Sequence, residues 1–278
     1  MEAEEGEAVE NAGMVVRALC VALVLLVGGV AGNASAQEIH APHCLLGCPL
    51  GGPVSNDLIV REIYALSSND QTKFADWVAY KVTAGSIGPT QNRNWKADPA
   101  LDPSETLEKD DYRRANAVLG TDRGHQAPLA SFTGTLHWHD TNYLSNITPQ
   151  MAALNQGPWE NLESRVRGLA RSRGETGVFV MTGPLYERAM APLPEADEAH
   201  TVPSGYWKVV AVIDGGTISV AAFIFDQQTP RDSDVCTHIK TIREVEQRSR
   251  LDFFHALQKA GQDQIETGPA TLKAKLGC

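Results

Sequence analysis

Residues 206–225, Tyr-Trp-Lys-Val-Val-Ala-Val-Ile-Asp-Gly-Gly-Thr-Ile-Ser-Val-Ala-Ala-Phe-Ile-Phe, decide the fold class. Two runs rich in branched and aromatic residues, 206–213 and 217–225, flank Asp214-Gly215-Gly216. A Gly-Gly step supplies the positive backbone angles of a tight hairpin, so the runs read as paired antiparallel strands. Working outward, 178–181 is a short apolar strand, and 57–65 (DLIVREIYA) and 74–82 (FADWVAYKV) read as strands. A loop follows, marked by Gly85, Gly88, Pro89, Pro99 and Pro103. Trp159, Leu162, Val166 and Leu169 recur at three- and four-residue steps and mark one helix, with Pro158 suited to its first turn. Residues 239–257 read as another, offering Ile242, Val245, Leu251 and Phe254 for burial. Strands and helices mix without strict alternation. The expected class is α+β, a mainly antiparallel central sheet flanked by helices.

The chain has 278 residues, 42% of them hydrophobic, enough for a substantial core. Residues 18–31 (ALCVALVLLVGGVA) form an apolar run after Arg17 and before Ala34-Ser35-Ala36. That is the layout of a secretory signal cut after Ala36, and it is short for a membrane span. Met1 to Gly13 carries five glutamates, an odd leader, and Met14 is the expected true start. Residues 1–36 are therefore read as leader and signal, and 37–278 as a single domain in which no repeat is visible. The expected destination is outside the cell or the periplasm, with no stable membrane association once the signal is removed.

Removing five acids and one base from 34 and 24 takes the formal charge from -10 to -6. A protein that coats nucleic acid is usually basic overall. An enzyme that must release its product can instead confine positive charge to a cleft.

Cys20 leaves with the signal; Cys44, Cys48, Cys236 and Cys278 remain. An even number in an exported chain implies disulfides, and of three pairings Cys44–Cys48 with Cys236–Cys278 is the simplest. His40 and His43 beside the first pair raise zinc as the alternative, disfavoured by an oxidising compartment.

The chemistry lies in Asp122-Arg-Gly-His125-Gln-Ala-Pro128, followed by Asn142-Tyr-Leu-Ser-Asn146-Ile-Thr-Pro-Gln150 and Leu154-Asn155-Gln-Gly-Pro-Trp-Glu160, and preceded by Arg93-Asn-Trp-Lys96. The ordered set resembles the DNA/RNA non-specific endonuclease family, of the Serratia type, within the ββα-metal (His-Me finger) superfamily. The resemblance covers most of the mature chain, including the cysteine spacings and Val245-Glu-Gln-Arg-Ser-Arg-Leu-Asp-Phe-Phe254.

It implies a secreted, sugar-non-specific nuclease that hydrolyses single- or double-stranded DNA and RNA to 5′-phosphorylated oligonucleotides, with a ββα-metal active-site motif. It implies His125 as general base, a role that suits an imidazole neutral at pH 8. Asn155 would be the direct protein ligand of one Mg2+, with Mn2+ able to substitute. Glu163 would accept hydrogen bonds from metal-bound water. On an ideal helix Asn155 and Glu163 share a face. Arg93 would contact the scissile phosphate. Arg123 and Arg167 would support it, with Arg167 also spaced to pair with Glu163 along the helix. Asn146 would help hold the site together and Asp122 would order its loop. Some relatives dimerise, so a homodimer is compatible with the resemblance.

Taken singly, each residue has an ordinary explanation. Asparagine favours helix entries, Glu163 and Arg167 make a routine surface pair, and Arg165, Arg167, Arg171 and Arg173 make a solvated face. The ordered set is what favours chemistry. His137-Trp138-His139-Asp140 has metal-binding composition but reads as an exposed loop. Asn146-Ile147-Thr148 fits a glycosylation sequon that overlaps the site. Three rivals stand beside this reading: a mitochondrial endonuclease G-like enzyme, opposed by the leader and paired cysteines; an inactive relative that only binds nucleic acid; and a zinc phosphoesterase, whose expected central cluster of His and Asp ligands this sequence lacks.

Overall fold

A computed structural model describes residues 41–278. The signal segment, the Met14 start and His40 lie outside the described residues. The predicted hairpin forms β7 (Gly205–Asp214) and β8 (Thr217–Asp226), with Asp214 opposite Thr217. Gly215 and Gly216 alone make the turn, both at positive φ (55° and 83°), as a hairpin turn matched to strand twist requires.

Around this hairpin a seven-stranded sheet runs in the order β1-β2-β3-β6-β7-β8-β9, every pairing antiparallel. Its other members are β1 (Asp57–Val60), β2 (Ala65–Ser68), β3 (Ala75–Val82), β6 (Val178–Leu185) and the short β9 (Ile239–Lys240). The run 57–65 is therefore two elements. The chain turns at Arg61, whose N–H donates to the Tyr64 carbonyl at 2.8 Å, and returns as β2.

The sheet is covered on both faces, which is why β7 reads as a continuous apolar run and not an alternating one. Tyr206, Val210 and Val212 face a core shared with Trp159, Leu162, Val166 and Leu169. These last belong to or adjoin α3 (Glu160–Arg173), so the predicted stripe is the buried face of that helix. Trp207, Val209 and Ala211 face the opposite core with Leu45, Ile242, Val245, Leu251, Phe253 and Phe254.

The predicted helix 239–257 is shorter. It spans α4 (Ile242–Ser249) and stops where Arg250 turns left-handed (φ 62°). Leu251 and Phe254 are buried as expected, but outside the helix: Asp252 bridges to Leu50, and Phe254 turns left-handed (φ 54°). A separate helix, α5 (Lys259–Thr267), follows.

One unit had no strand signal in the sequence. β4 (Thr121–His125) pairs antiparallel with β5 (Ile147–Met151) as a separate two-stranded ribbon. α1 (Ala115–Leu119) leads into it, and α2 (Ala152–Leu154) carries the chain through a π turn, Asn155–Trp159, into α3. The ribbon is fixed to the large sheet through the end of β5, where Met151 N–H donates to Gln227 Oε1 at 2.8 Å. Pro149 O accepts from Tyr206 Oη and from Gln227 Nε2, each at 2.8 Å. Strand, strand and helix thus form a ββα unit standing on the end of β7 and β8.

Both disulfides are present, Cys44–Cys48 and Cys236–Cys278. His43 Nε2 is engaged with the Arg61 carbonyl at 2.7 Å. With the thiols oxidised and this imidazole occupied, the zinc reading fails. No helix among the described residues is long and apolar enough to cross a membrane.

Candidate active site

The ββα unit walls a cleft of about 700 Å³, lined by Arg93, Arg123, His125, Asn155, Glu163 and Arg167 among others. Residues spread over 75 positions of sequence thus meet in one place.

His125 ends β4, opposite Ile147 of β5. Gly124, just before it, lies so close to the neighbouring strand that a Cβ there would sit 2.7 Å from Gln150 Cβ. No larger residue fits without parting the strands that aim His125. Behind the histidine, Asn146 braces the chain. Its amide donates to the Ala127 and Thr141 carbonyls at 2.9 Å each and accepts the Ala127 N–H at 2.8 Å. Asn146 is fully buried and is not part of the cleft wall, so its place is structural support.

The imidazole is buried, with Nε2 sealed from solvent. Trp95 packs on its face, ring centres 5.1 Å apart. That ring is delivered by the neighbouring Lys96, whose N–H donates to Asn142 O (3.2 Å) and whose carbonyl accepts from Leu144 N–H (2.9 Å). Burial lowers the His125 pKa to about 3, the nearby Arg93 charge adds to the shift, and the Asn142 side chain opposes it. A charged imidazole would lose its water against Trp95, so the ring is neutral over a wider pH range than an exposed histidine with its ordinary value of about 6.5.

Asn155 begins the π turn. Its Nδ2 donates to Asp122 Oδ2 at 2.9 Å. A carboxylate only accepts, so this bond fixes the amide flip and turns Asn155 Oδ1 away from Asp122. Asp122 thus does more than order its loop. It also takes Gln156 Nε2 at 2.7 Å and Asn116 Nδ2 at 3.1 Å. Asn155 and Glu163 do not lie on one ideal helix, since Gly157 (φ -115°, ψ -116°) breaks the path between them. They face the same cleft all the same.

The expected Glu163–Arg167 pair is not the one formed. Arg167 donates to Glu160 Oε1 at 3.0 Å, and Glu163 Oε1 accepts from Lys208 Nζ at 3.4 Å. Burial pushes the Glu163 carboxyl upward, and the Lys208 and Arg167 charges oppose that push. Arg123 is anchored by a 3.0 Å bond to Lys109 O and lies over the Trp95 and Tyr112 rings at 5.7 and 5.3 Å. Arg93 is exposed at the rim.

Trp95, Asn142 and Lys208 were not singled out from sequence. Trp95 and Asn142 stand inside the quoted motifs, a signal that was present; Lys208 looks like any strand lysine. His137 and His139 lie apart from the cleft lining, each near Asp140. Among the described residues, three acidic clusters are each close-set enough to share a cation, such as Glu108 with Asp111 and Glu198, and none of them includes a cleft residue.

Residues 45–260 match the model of the DNA/RNA non-specific endonucleases. The chain belongs to the DNA/RNA non-specific endonuclease family. It is 46% identical over 250 residues to a nuclease of Serratia marcescens, covering 89% of this chain and 94% of that one. It is 30% identical to human mitochondrial endonuclease G, covering 76% and 74% of the two. Among solved structures, a chain of the EndoG/EndoGI complex superposes with a TM-score of 0.64 at 25% identity, covering 76% of this chain and 89% of that chain. The nuclease is therefore a hydrolytic endonuclease of the non-specific class, and its ββα unit lies within the matched region.

Proposed function

We propose that residues 37–278 form a secreted, Mg2+-dependent nuclease that cuts DNA and RNA, single- or double-stranded, to 5′-phosphorylated oligonucleotides with 3′-hydroxyl ends. The observation that carries this reading is the convergence of His125, Arg93, Asn155 and Glu163 on one cleft.

The donor set fits a hard cation. Asn155 Oδ1 and the Glu163 carboxylate are oxygen donors, and Mg2+ keeps much of its water while taking few protein ligands. Asn155 would hold it directly and Glu163 through its waters, and Mn2+ would substitute. When bound, the ion supplies charge stabilisation to the phosphate and to the leaving oxygen.

The remaining work falls to the protein. With Nε2 sealed, His125 Nδ1 is the nitrogen left to take a proton from the attacking water. Trp95 holds the ring in place, and Arg93 offers its fork of donors to the phosphate. Arg123 and Arg167 add positive charge along the strand path. Contacts of this kind read backbone and not base edges, in keeping with indifference to sequence and sugar. The site is built from one chain, so activity would not require a homodimer, and the exported enzyme would stay off the membrane.

The test is cleavage of plasmid and RNA by residues 37–278, with Mg2+ or chelator, beside His125→Ala. Mg2+-dependent cutting of both, reduced about 100-fold or more in the variant, is the expected result. Intact substrates with folded wild type would sink the reading and favour a relative that only binds nucleic acid.

A further inference from the structure

We infer that Lys208 is a positioning residue for Glu163, a buried counter-charge that sets the carboxylate toward the cleft and so tunes cation affinity. This rests on the reading of Asn155 and Glu163 as the cation-holding pair.

The strand register makes Lys208 anomalous. On β7, Tyr206, Val210 and Val212 point into the core beneath α3, and residue 208 shares their face because strand side chains alternate. A lysine there is fully buried. Burying an ammonium costs several kcal/mol unless a counter-charge and hydrogen bonds meet it.

Its surroundings are specific. Nζ lies 3.4 Å from Glu163 Oε1 and 3.3 Å from Tyr80 Oη. It stands 4.1 Å over the centre of the Trp159 ring, which adds a cation–π contact and walls off water. Glu163 is its one salt-bridge partner among the described residues. The next charge in its field, Arg167, repels it, and that guanidinium is turned to Glu160. A lysine serving the fold alone would be better replaced by an apolar residue, as β7 has at 210 and 212. Its placement makes sense as support for Glu163.

The consequence is directional. One oxygen of Glu163 is held from the sheet side by Lys208, which leaves the other oxygen to the cleft. Groups behind a metal's immediate ligands commonly change affinity about 10–100-fold when removed.

The experiment is a double-mutant cycle read by calorimetric Mg2+ binding to the nuclease alone, using wild type, Lys208→Met, Glu163→Gln and the double variant. Near-UV circular dichroism and thermal melting report folding. Lys208→Met should weaken Mg2+ binding about 10-fold or more in the wild-type background, and by less than about 2-fold once Glu163 is glutamine. Equal losses in both backgrounds, or none in either, would overturn the proposal. Wild type that binds no Mg2+, or Glu163→Gln that binds as wild type does, would sink the cation reading and this proposal with it. Weakening by Glu163→Gln without weakening by Lys208→Met would sink the Lys208 proposal alone. Should Lys208→Met fail to fold, recovery of folding in the double variant supports the pair; failure of both shows that the fold needs the lysine for itself and overturns it.

Discussion

Asp122 on β4 and Asn155 at the start of the π turn are joined by a 2.9 Å hydrogen bond that spans the two arms of the ββα unit. The same carboxylate oxygen takes Gln156, and its partner oxygen takes Asn116. Asp122 therefore decides which face Asn155 presents to the cleft.

Asp122→Ala is expected to leave the fold intact and lower activity at limiting Mg2+ by about 10–100-fold, with partial recovery at high Mg2+. Titrating Mg2+ in the cleavage assay checks this. An unchanged Mg2+ dependence would mean that Asn155 keeps its orientation unaided.

The fold's large parts were legible where local chemistry is strong. Gly215-Gly216 forces a turn whatever surrounds it, and Trp159, Leu162, Val166 and Leu169 repeat at helical spacing. β4 was not, because Asp122-Arg-Gly-His has no β-forming run, and the ribbon is held by partners at Pro149, Tyr206 and Gln227 that are distant in sequence. The break at Arg250 was hidden as well. Leu251 and Phe254 can be buried from a helix or from the irregular chain that follows Arg250, so hydrophobicity could not separate the two. For the site, motif order named the cleft residues, but which carboxylate meets which cation depends on side-chain reach. Lys208 claims Glu163 from the sheet face beneath α3, a pairing no helical spacing reports.

The His125 environment predicts an unusual pH profile. In the free enzyme the imidazole is held down to about 3, first by burial and then by Arg93. A bound phosphate offsets the Arg93 charge, so His125 should titrate higher in the complex. Because kcat/KM reports the free enzyme and kcat the complex, the acid limb of kcat/KM should lie below that of kcat, and both below 6.5. Profiles at saturating Mg2+, beside His125 C–H resonances followed by NMR, check this. A His125 titration centred near 6.5 would contradict it.

The same shift links pH to stability. A histidine whose folded pKa is depressed disfavours protonated folded protein, so its contribution is complete above about 6.5 and is lost as pH falls from there toward 3. The loss approaches about 1.4 kcal/mol per pH unit at its steepest. Denaturant melts of wild type and His125→Ala across pH 4–7 should diverge, with the variant less sensitive to acid. Parallel curves would mean that His125 is not the responsible group.

Cys236–Cys278 closes a loop with a sequence separation of 42 and holds the chain's last residue. Arg165 of α3 donates to Leu276 O at 3.0 Å, so the bridge also steadies the helix that carries Glu163. Loop-closure entropy gives about 4 kcal/mol for a loop of this size. Cys236→Ser with Cys278→Ser should lower stability by about 2–4 kcal/mol in urea melts. A loss confined to a few tenths would show that the terminal contacts hold without the bond.

Substrate capture should rest on the cleft and not on overall charge, since the formal net charge, -10 for the whole chain and -6 for residues 37–278, repels nucleic acid at long range. Of the cleft arginines, Arg167 is paired with Glu160 and Arg123 is tied to Lys109 O. Arg93 is exposed at the rim and makes no ion pair among the described residues, so it is the cation with most freedom to meet a phosphate. Each phosphate neutralised releases counterions, which makes binding fall with salt in proportion to the number of contacts. Arg93→Ala should therefore reduce kcat/KM about 100-fold or more and flatten the slope of log affinity against log salt by about 1. Affinity of wild type and variant for a short duplex in Ca2+, from 50 to 300 mM salt, measures the slope apart from cleavage. A variant that loses activity while keeping the wild-type slope would place Arg93 on the developing charge of the reaction and remove it from ground-state binding.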